Sequence, residues 1–119
     1  LVSAAAARGS LPVPYLVEGE ETKLSGEAPP MDPQAAEELR QMMAAVTGPG
    51  GTASAFTASG DIRGKTGEAE INGGSHSWFT GYRADDDIAF ATLVVLGGGS
   101  EAAVALSDRM LLNLDAPAE

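Results

Sequence analysis

The stretch "IRGKTGEAEINGGSHSWFTGYR", residues 62–83, decides the fold class, because it predicts a β-hairpin. The runs Ile62–Ala69 and His76–Arg83 favour strands, and "INGGS" between them supplies the asparagine and glycines of a tight turn. Side chains alternate in a strand, so we expect Trp78, Thr80 and Tyr82 on one face of the second strand and Phe79, Gly81 and Arg83 on the other.

A third strand follows in "IAFATLVVL", residues 88–96, which is apolar on both faces and is therefore expected inside a sheet. One face is bulky, through Phe90 and Val94, and the other is flatter, through Ala89 and Ala91. We expect the last helix to pack on the flatter face. The sequence offers this strand one neighbour, His76–Arg83, so we expect a further strand from a missing segment or a partner chain.

Three helices are predicted around these strands. An alanine-rich helix opens the chain and ends at Gly9. Asp32 is a good N-cap for a second helix, which Gly48 and Pro49 stop. Ser100 is the predicted N-cap of the last helix. Its apolar stripe is Ala103, Val104, Ser107, Met110, Leu111 and Leu114.

The sequence thus predicts an α+β unit with a three-stranded antiparallel sheet segment and flanking helices. We expect helices and linkers over residues 1–60, with Phe56 as a buried anchor in the second linker. The three strands lie in 61–96 and the terminal helix in 99–114. The 119 residues suffice for one domain and are too few for two. The missing initiator methionine and the opening "LVSAAAARGS" predict a piece of a longer polypeptide.

Composition excludes several function classes. The net charge of −10 repels phosphate backbones, so nucleic acid is not an expected partner. The longest apolar run is about half of a bilayer span, so we expect no membrane contact by this segment. The chain has no cysteine and a single histidine, His76, so neither a thiolate nor a histidine-centred metal site is expected. We expect no metal and no cofactor.

Lys65, Thr66 and Gly67 are the residues to which we assign chemistry. Adjacent residues of a flat strand point to opposite faces, so joint use of the ammonium and the hydroxyl requires an edge position. At an edge, the backbone also becomes available to an extended ligand. Gly67 has no side chain that would hold such a ligand away.

The order of segments around this tripeptide carries a family resemblance. "IRGKTGEAE", "HSWFTGY", "DIAFATLVVL" and "GGGSEAAVALSDRMLLNL" together resemble the C-terminal part of the penicillin-binding transpeptidase domain, whose fold is shared with serine β-lactamases. The family's KTG box corresponds to Lys65, Thr66 and Gly67. The opening "LVSAAAARGSLPVPYLV" is similar to the helix and proline-bearing turn that precede that box.

The resemblance implies roles for these residues. Lys65 would be catalytic and substrate-binding, supplying positive potential for the terminal carboxylate and for a proton relay. Thr66 would donate its hydroxyl to the same carboxylate, and Gly67 would let the acyl donor lie along the strand. The backbone amide of Glu68 would form half of an oxyanion hole. The family usually has threonine at Glu68, so this carboxylate puts β-lactam affinity in doubt.

The resemblance also implies an acyl-enzyme route that these residues do not complete. No serine in the chain has lysine three residues later or asparagine two residues later, so both other family motifs are missing. The chain alone is expected to be inactive and to need the N-terminal part of its domain. The expected ligands are peptidoglycan stem peptides and β-lactams. The expected location is the cell envelope, outside the cytoplasm, with a membrane anchor upstream.

Two alternatives stay open. A D,D-carboxypeptidase or a β-lactamase would use the same acylation and differ in what deacylates it. A non-catalytic acidic interaction module would account for the missing serine motif. A family relative that lost its nucleophile would account for it too, and the enzyme hypothesis fails for the parent protein if the sequence upstream of Leu1 has no serine with lysine three residues later.

Overall fold

The computed structural model describes residues 1–15, 17–19, 21, 23–24 and 28–117. Leu16, in the proline-bearing turn, and residues 118–119 lie outside them. The elements in chain order are α1 (Val2–Arg8), β1 (Pro12–Val13), β2 (Lys23–Leu24), α2 (Pro33–Thr47), β3 (Ile62–Ile71), β4 (Gly74–Arg83), β5 (Ile88–Val94) and α3 (Glu101–Asp115). The predicted α+β class with a three-stranded antiparallel sheet is confirmed.

The hairpin β3–β4 is longer than predicted. Its antiparallel register runs from Ile62 opposite Arg83 to Ile71 opposite Gly74, which leaves only Asn72 and Gly73 in the turn. Gly73 has φ +96°, a left-handed conformation that glycine adopts without steric cost. β4 also pairs with β5, so the strand order is β3-β4-β5 and the hairpin's second strand is central.

The two faces of the sheet divide the core as the alternation predicts. Phe79 is fully buried on the face covered by α3, where it packs with Ala103 and Val104. Phe56 contacts it at a ring-centroid distance of 5.1 Å, but is only partly buried. On the opposite face Tyr82 packs against Ala6 of α1 and Met43 of α2.

The predicted packing of α3 on the flatter face of β5 is wrong. Phe90 and Val94, on the bulky face, pack against the cluster that contains Ala103 of α3. The Thr92 hydroxyl on that face lies 2.8 Å from the Ser107 hydroxyl. The helix itself supplies the small side chains at this contact, so bulky strand residues fill the space between the two elements.

The described residues leave the outer edge of β5 without a neighbouring strand, so the further strand expected from a missing segment or a partner chain stays a prediction. β5 pairs with β4 alone and forms one edge of the sheet. The sequence correctly indicated that β4 is its one neighbour within the chain. Every second residue of β5 is exposed, among them Ala91 and Leu93.

The helix boundaries follow the capping residues in two of three cases. Gly9 ends α1 in the left-handed region, with φ 72°. Asp32 caps α2 by accepting a hydrogen bond from the Ala35 amide at 3.0 Å. Ser100 precedes α3 but its side chain makes no capping hydrogen bond. Leu114, assigned to the apolar stripe of α3, is 57% exposed and lies outside the buried face formed by Ala103, Val104, Ser107 and Leu111.

Candidate functional site at the edge of β3

The tripeptide Lys65-Thr66-Gly67 lies in the middle of β3, which is the second edge strand of the sheet. The edge position that its chemistry requires is therefore present in the described residues. α2 runs close to the start of this strand, where the Thr47 hydroxyl donates to the Ile62 carbonyl at 2.5 Å. Beyond this contact with α2, the edge of β3 continues along Thr66 and Glu68.

The backbone of β3 directs alternate residues toward this free edge. The carbonyl oxygen of Arg63 lies 2.6 Å from the position a Cβ would take at Gly81 of β4, so the Arg63 carbonyl faces the neighbouring strand. Backbone groups of consecutive residues point to opposite sides of a strand, so those of Lys65 and Gly67 also face β4. The amides and carbonyls of Thr66 and Glu68 consequently face outward.

Lys65 is exposed on the face of the sheet that α1 and α2 flank. Its ammonium donates to the Thr66 carbonyl at 2.7 Å. Beside it lies a pocket of about 450 Å³. The apolar lining of the pocket comes from α1 and α2, through Val2, Leu39, Met42, Met43 and Val46. An ammonium at an apolar rim is partly shielded from water, which strengthens its attraction for an anion.

Thr66 is buried, with 8% of its surface exposed, and its hydroxyl lies 2.8 Å from the hydroxyl of Thr52. Thr52 belongs to the loop after α2, and sequence reasoning did not assign it to the site. The sequence feature that could have indicated this contact is the glycine-rich segment "GPGGTAS", residues 48–54. A Cβ at Gly51 would lie 2.2 Å from the Val46 carbonyl oxygen, so glycine lets this loop pack against the end of α2.

Gly67 is opposite Trp78 in the register. A Cβ at Gly67 would meet only the Trp78 Cβ, at 3.2 Å. By contrast, a Cβ at Gly64 would lie 2.3 Å from the Phe79 ring. The chain's own packing therefore requires glycine at position 64, whereas a side chain at position 67 meets a single, milder contact.

Glu68 is exposed, and its carboxylate accepts a hydrogen bond from the Ser75 hydroxyl at 2.6 Å. Ser75 lies on β4, on the inner side of β3. The carboxylate is therefore drawn over the sheet, while the Glu68 amide points to the free edge.

Comparison with known proteins matches the sequence to the penicillin-binding protein transpeptidase domain over residues 1–111. The chain belongs to the penicillin-binding protein transpeptidase family. Comparison with curated proteins gives no match.

The transpeptidase fold is also found in a solved relative. The chain is similar to Pseudomonas aeruginosa PBP2, solved in complex with WCK 5153, with a TM-score of 0.64 and 22% sequence identity. The alignment covers 95% of this chain and 28% of the PBP2 chain. At this identity the likeness establishes the fold alone, and it spans less than a third of the solved protein.

Four of the seven basic residues of this chain form ion pairs away from the tripeptide. Arg8, Arg40, Arg63 and Arg83 line a pocket of about 260 Å³ near the start of β3. Each of these arginines forms an ion pair with a carboxylate. Hydrogen bonds from Arg63 lower the pKa of the Asp61 carboxyl, and burial raises the pKa of the Tyr82 hydroxyl. Among the described residues, Lys65 has no carboxylate partner.

The described ranges of the chain were compared with the requirements of a metal site and of a membrane-spanning helix. No group of three or more histidine, aspartate or glutamate side chains there is placed to hold a metal ion. The His76 ring accepts a hydrogen bond from the Leu96 amide at 3.0 Å. This bond links the start of β4 to the segment that follows β5. None of the helices described has the length and apolar content of a membrane crossing.

Proposed function

We propose that this chain supplies the substrate-binding edge of a serine D,D-transpeptidase that cross-links peptidoglycan through an acyl-enzyme. The observation that carries the proposal is that the backbone groups of Thr66 and Glu68 face outward beside the Lys65 ammonium, which donates to the Thr66 carbonyl and has no carboxylate partner among the described residues. A strand edge with a cation beside it suits an extended peptide that ends in a carboxylate. A peptidoglycan stem peptide is an extended peptide of this kind.

The stem peptide is proposed to lie along β3 as an added strand. Its main chain would pair with the outward groups of Thr66 and Glu68. Gly67 supports this reading, because the chain's own packing opposes a side chain there much less than it does at Gly64. A bound peptide is then the reason for having no side chain there.

The ligand carboxylate is proposed to bind Lys65 and Thr66. The ammonium stands at an apolar rim, where its attraction is less screened than in water. The Thr66 hydroxyl has Thr52 as its present partner, and either hydroxyl can donate in that bond. With Thr52 donating to it, Thr66 keeps its own proton for the ligand.

The Glu68 amide is proposed as one donor of an oxyanion hole. Its outward direction at the edge suits a carbonyl oxygen that becomes negative as the nucleophile attacks. The serine nucleophile, its lysine and the second amide would come from sequence outside these 119 residues. The chain alone would then bind weakly and form no acyl-enzyme.

The parent protein is proposed to act in the cell envelope, held by an upstream anchor. Family members act on the cell wall outside the cytoplasm. β-Lactams would be alternative acylating ligands, since they present a carboxylate and a reactive carbonyl to the same strand. The remaining part of the transpeptidase domain is the proposed obligatory partner of this segment.

Labelling with a fluorescent penicillin tests the proposal. The full-length protein should form a covalent adduct that survives denaturing electrophoresis, and the 119-residue segment should form none. A full-length protein that folds and is not labelled would refute the proposal. An adduct that hydrolyses within seconds would instead identify a β-lactamase, and release of D-alanine without cross-linking would identify a D,D-carboxypeptidase.

A further inference from the structure

The geometry points to Ser75 as a positioning residue that holds the Glu68 carboxylate away from the ligand edge of β3. This inference rests on the proposed function, because it concerns ligands that bind along that edge. It resolves a conflict in the sequence, where a negative side chain directly follows the tripeptide that is proposed to bind an anion.

The position of Ser75 explains how the conflict is avoided. Its hydroxyl donates to Glu68 Oε1 at 2.6 Å, and the Ser75 side chain is itself buried, with 8% exposure. β4 is on the side of β3 away from its free edge, and neighbouring strands are about 4.8 Å apart. The bond therefore draws the negative charge toward β4 and away from the ligand edge.

Ser75 is itself fixed by the segment that follows β5. The Ser75 carbonyl accepts a hydrogen bond from the Gly98 amide at 3.2 Å. In the register, Ser75 lies opposite Glu70, two residues from Glu68 on the same face. A diagonal neighbour on an adjacent strand is within reach of a long side chain such as glutamate. The strand register alone therefore brings the Ser75 hydroxyl and the Glu68 carboxylate within hydrogen-bonding distance.

Without the Ser75 hydroxyl, the exposed Glu68 side chain would be free to swing toward the edge. There it would face both the ligand carboxylate and the oxyanion that forms in the reaction. Repulsion between like charges falls with distance, so the loss should grow with the negative charge on the ligand. Ser75 therefore allows a glutamate at position 68 beside an anion-binding edge. It also determines how strongly the site discriminates between ligands of different negative charge.

The test compares acylation of the full-length protein by two penicillins, one with a carboxylate and one with an amine in its side chain. We expect Ser75→Ala to lower the second-order rate constant for the dicarboxylate about threefold to tenfold, and that for the amine less. Ser75→Thr should restore the wild-type ratio. In a Glu68→Gln background, Ser75→Ala should leave the ratio unchanged, since the charge is gone.

Ser77→Ala is the matched control, because Ser77 lies on the same strand and bonds the Ala103 amide at 2.9 Å instead. It should lower thermal stability without changing the ratio of the two rate constants. Equal effects of Ser75→Ala on both penicillins, or an undiminished effect in the Glu68→Gln background, would overturn the inference. A wild-type protein that neither penicillin acylates would refute the proposed function instead.

Discussion

The hydroxyl oxygens of Thr52 and Thr66 lie 2.8 Å apart, so the loop after α2 contacts the middle residue of the tripeptide on β3. This contact joins two segments that are 14 residues apart in sequence. It also gives Thr66 two possible roles, one in holding the loop and one in binding a ligand.

Two valine variants separate these roles. Thr52→Val and Thr66→Val each remove one hydroxyl of the same bond, so each should lower the free energy of unfolding by about 1 kcal/mol. Only Thr66→Val should also slow acylation of the full-length protein, by about tenfold, because it removes the group proposed to bind the carboxylate. Thermal denaturation and penicillin-labelling rates measure the two effects. Equal acylation in both variants would assign Thr66 to the loop alone.

Lys65→Ala should slow acylation by about a hundredfold, on the scale expected for loss of one electrostatic stabiliser. The melting temperature should hardly change, because the side chain is exposed and its hydrogen bond goes to the next residue's carbonyl. Lys23→Ala, which removes an exposed lysine from β2, is the charge-matched control and should label normally. Unchanged labelling of Lys65→Ala would remove Lys65 from the site.

The two glycines of β3 should respond to alanine in opposite ways. Gly64→Ala places a methyl group 2.3 Å from the buried Phe79 ring, so it should destabilise the fold by about 1–3 kcal/mol. Gly67→Ala meets only the Trp78 Cβ, at 3.2 Å, a close contact that a shift of a few tenths of an ångström relieves. It should therefore fold normally and lose acylation. Calorimetry and labelling of both variants check this, and a Gly67→Ala protein with full activity would contradict the proposed path of the ligand.

Asp108 on α3 should contribute stability that depends on pH. Its carboxylate accepts hydrogen bonds from the Thr57 amide and hydroxyl, both at 2.7 Å, and from the Ala58 amide at 2.8 Å. Burial raises the pKa of this carboxyl, but these bonds outweigh burial and the pKa is lowered. A lowered folded-state pKa gives stability that is fully present above the unfolded value of about 3.9 and is lost as pH falls below it.

Asp108→Asn should therefore be less stable than wild type by about 1 kcal/mol between pH 5 and 8. The difference should shrink below about pH 4, as the wild-type carboxylate is protonated. Urea denaturation of the full-length protein at several pH values measures this difference. A gap that widens at low pH would contradict the assigned bonding.

Local sequence signals predicted most of the fold. The turn residues and the alternation from Trp78 to Arg83 were enough to place the hairpin and its two faces, and Asp32 marked the start of α2. The packing of α3 was not predictable, because strand periodicity defines two faces without telling which one a distant helix covers. Ser100 lacks the capping bond because a cap requires side-chain geometry that residue type alone does not fix.

The site was predicted in part for similar reasons. Lys65, Thr66, Gly67 and Glu68 are consecutive, so one strand at an edge brings them together. Thr52 and Ser75 reach the same place through the loop after α2 and the β3–β4 register. Such contacts become visible only when the elements are packed. The roles of all these residues stay predictions until the variants are measured.

The Lys65 ammonium, which has no carboxylate partner among the described residues, has a kinetic consequence, because it stands in a segment of net charge −10. The long-range field of this chain repels an anionic ligand, while the attraction acts only at close contact. Added salt shortens the Debye length from about 30 Å at 0.01 M to about 10 Å at 0.1 M, which screens the repulsion first. Association of anionic ligands with this 119-residue segment should therefore become faster as ionic strength rises, the reverse of electrostatically steered association.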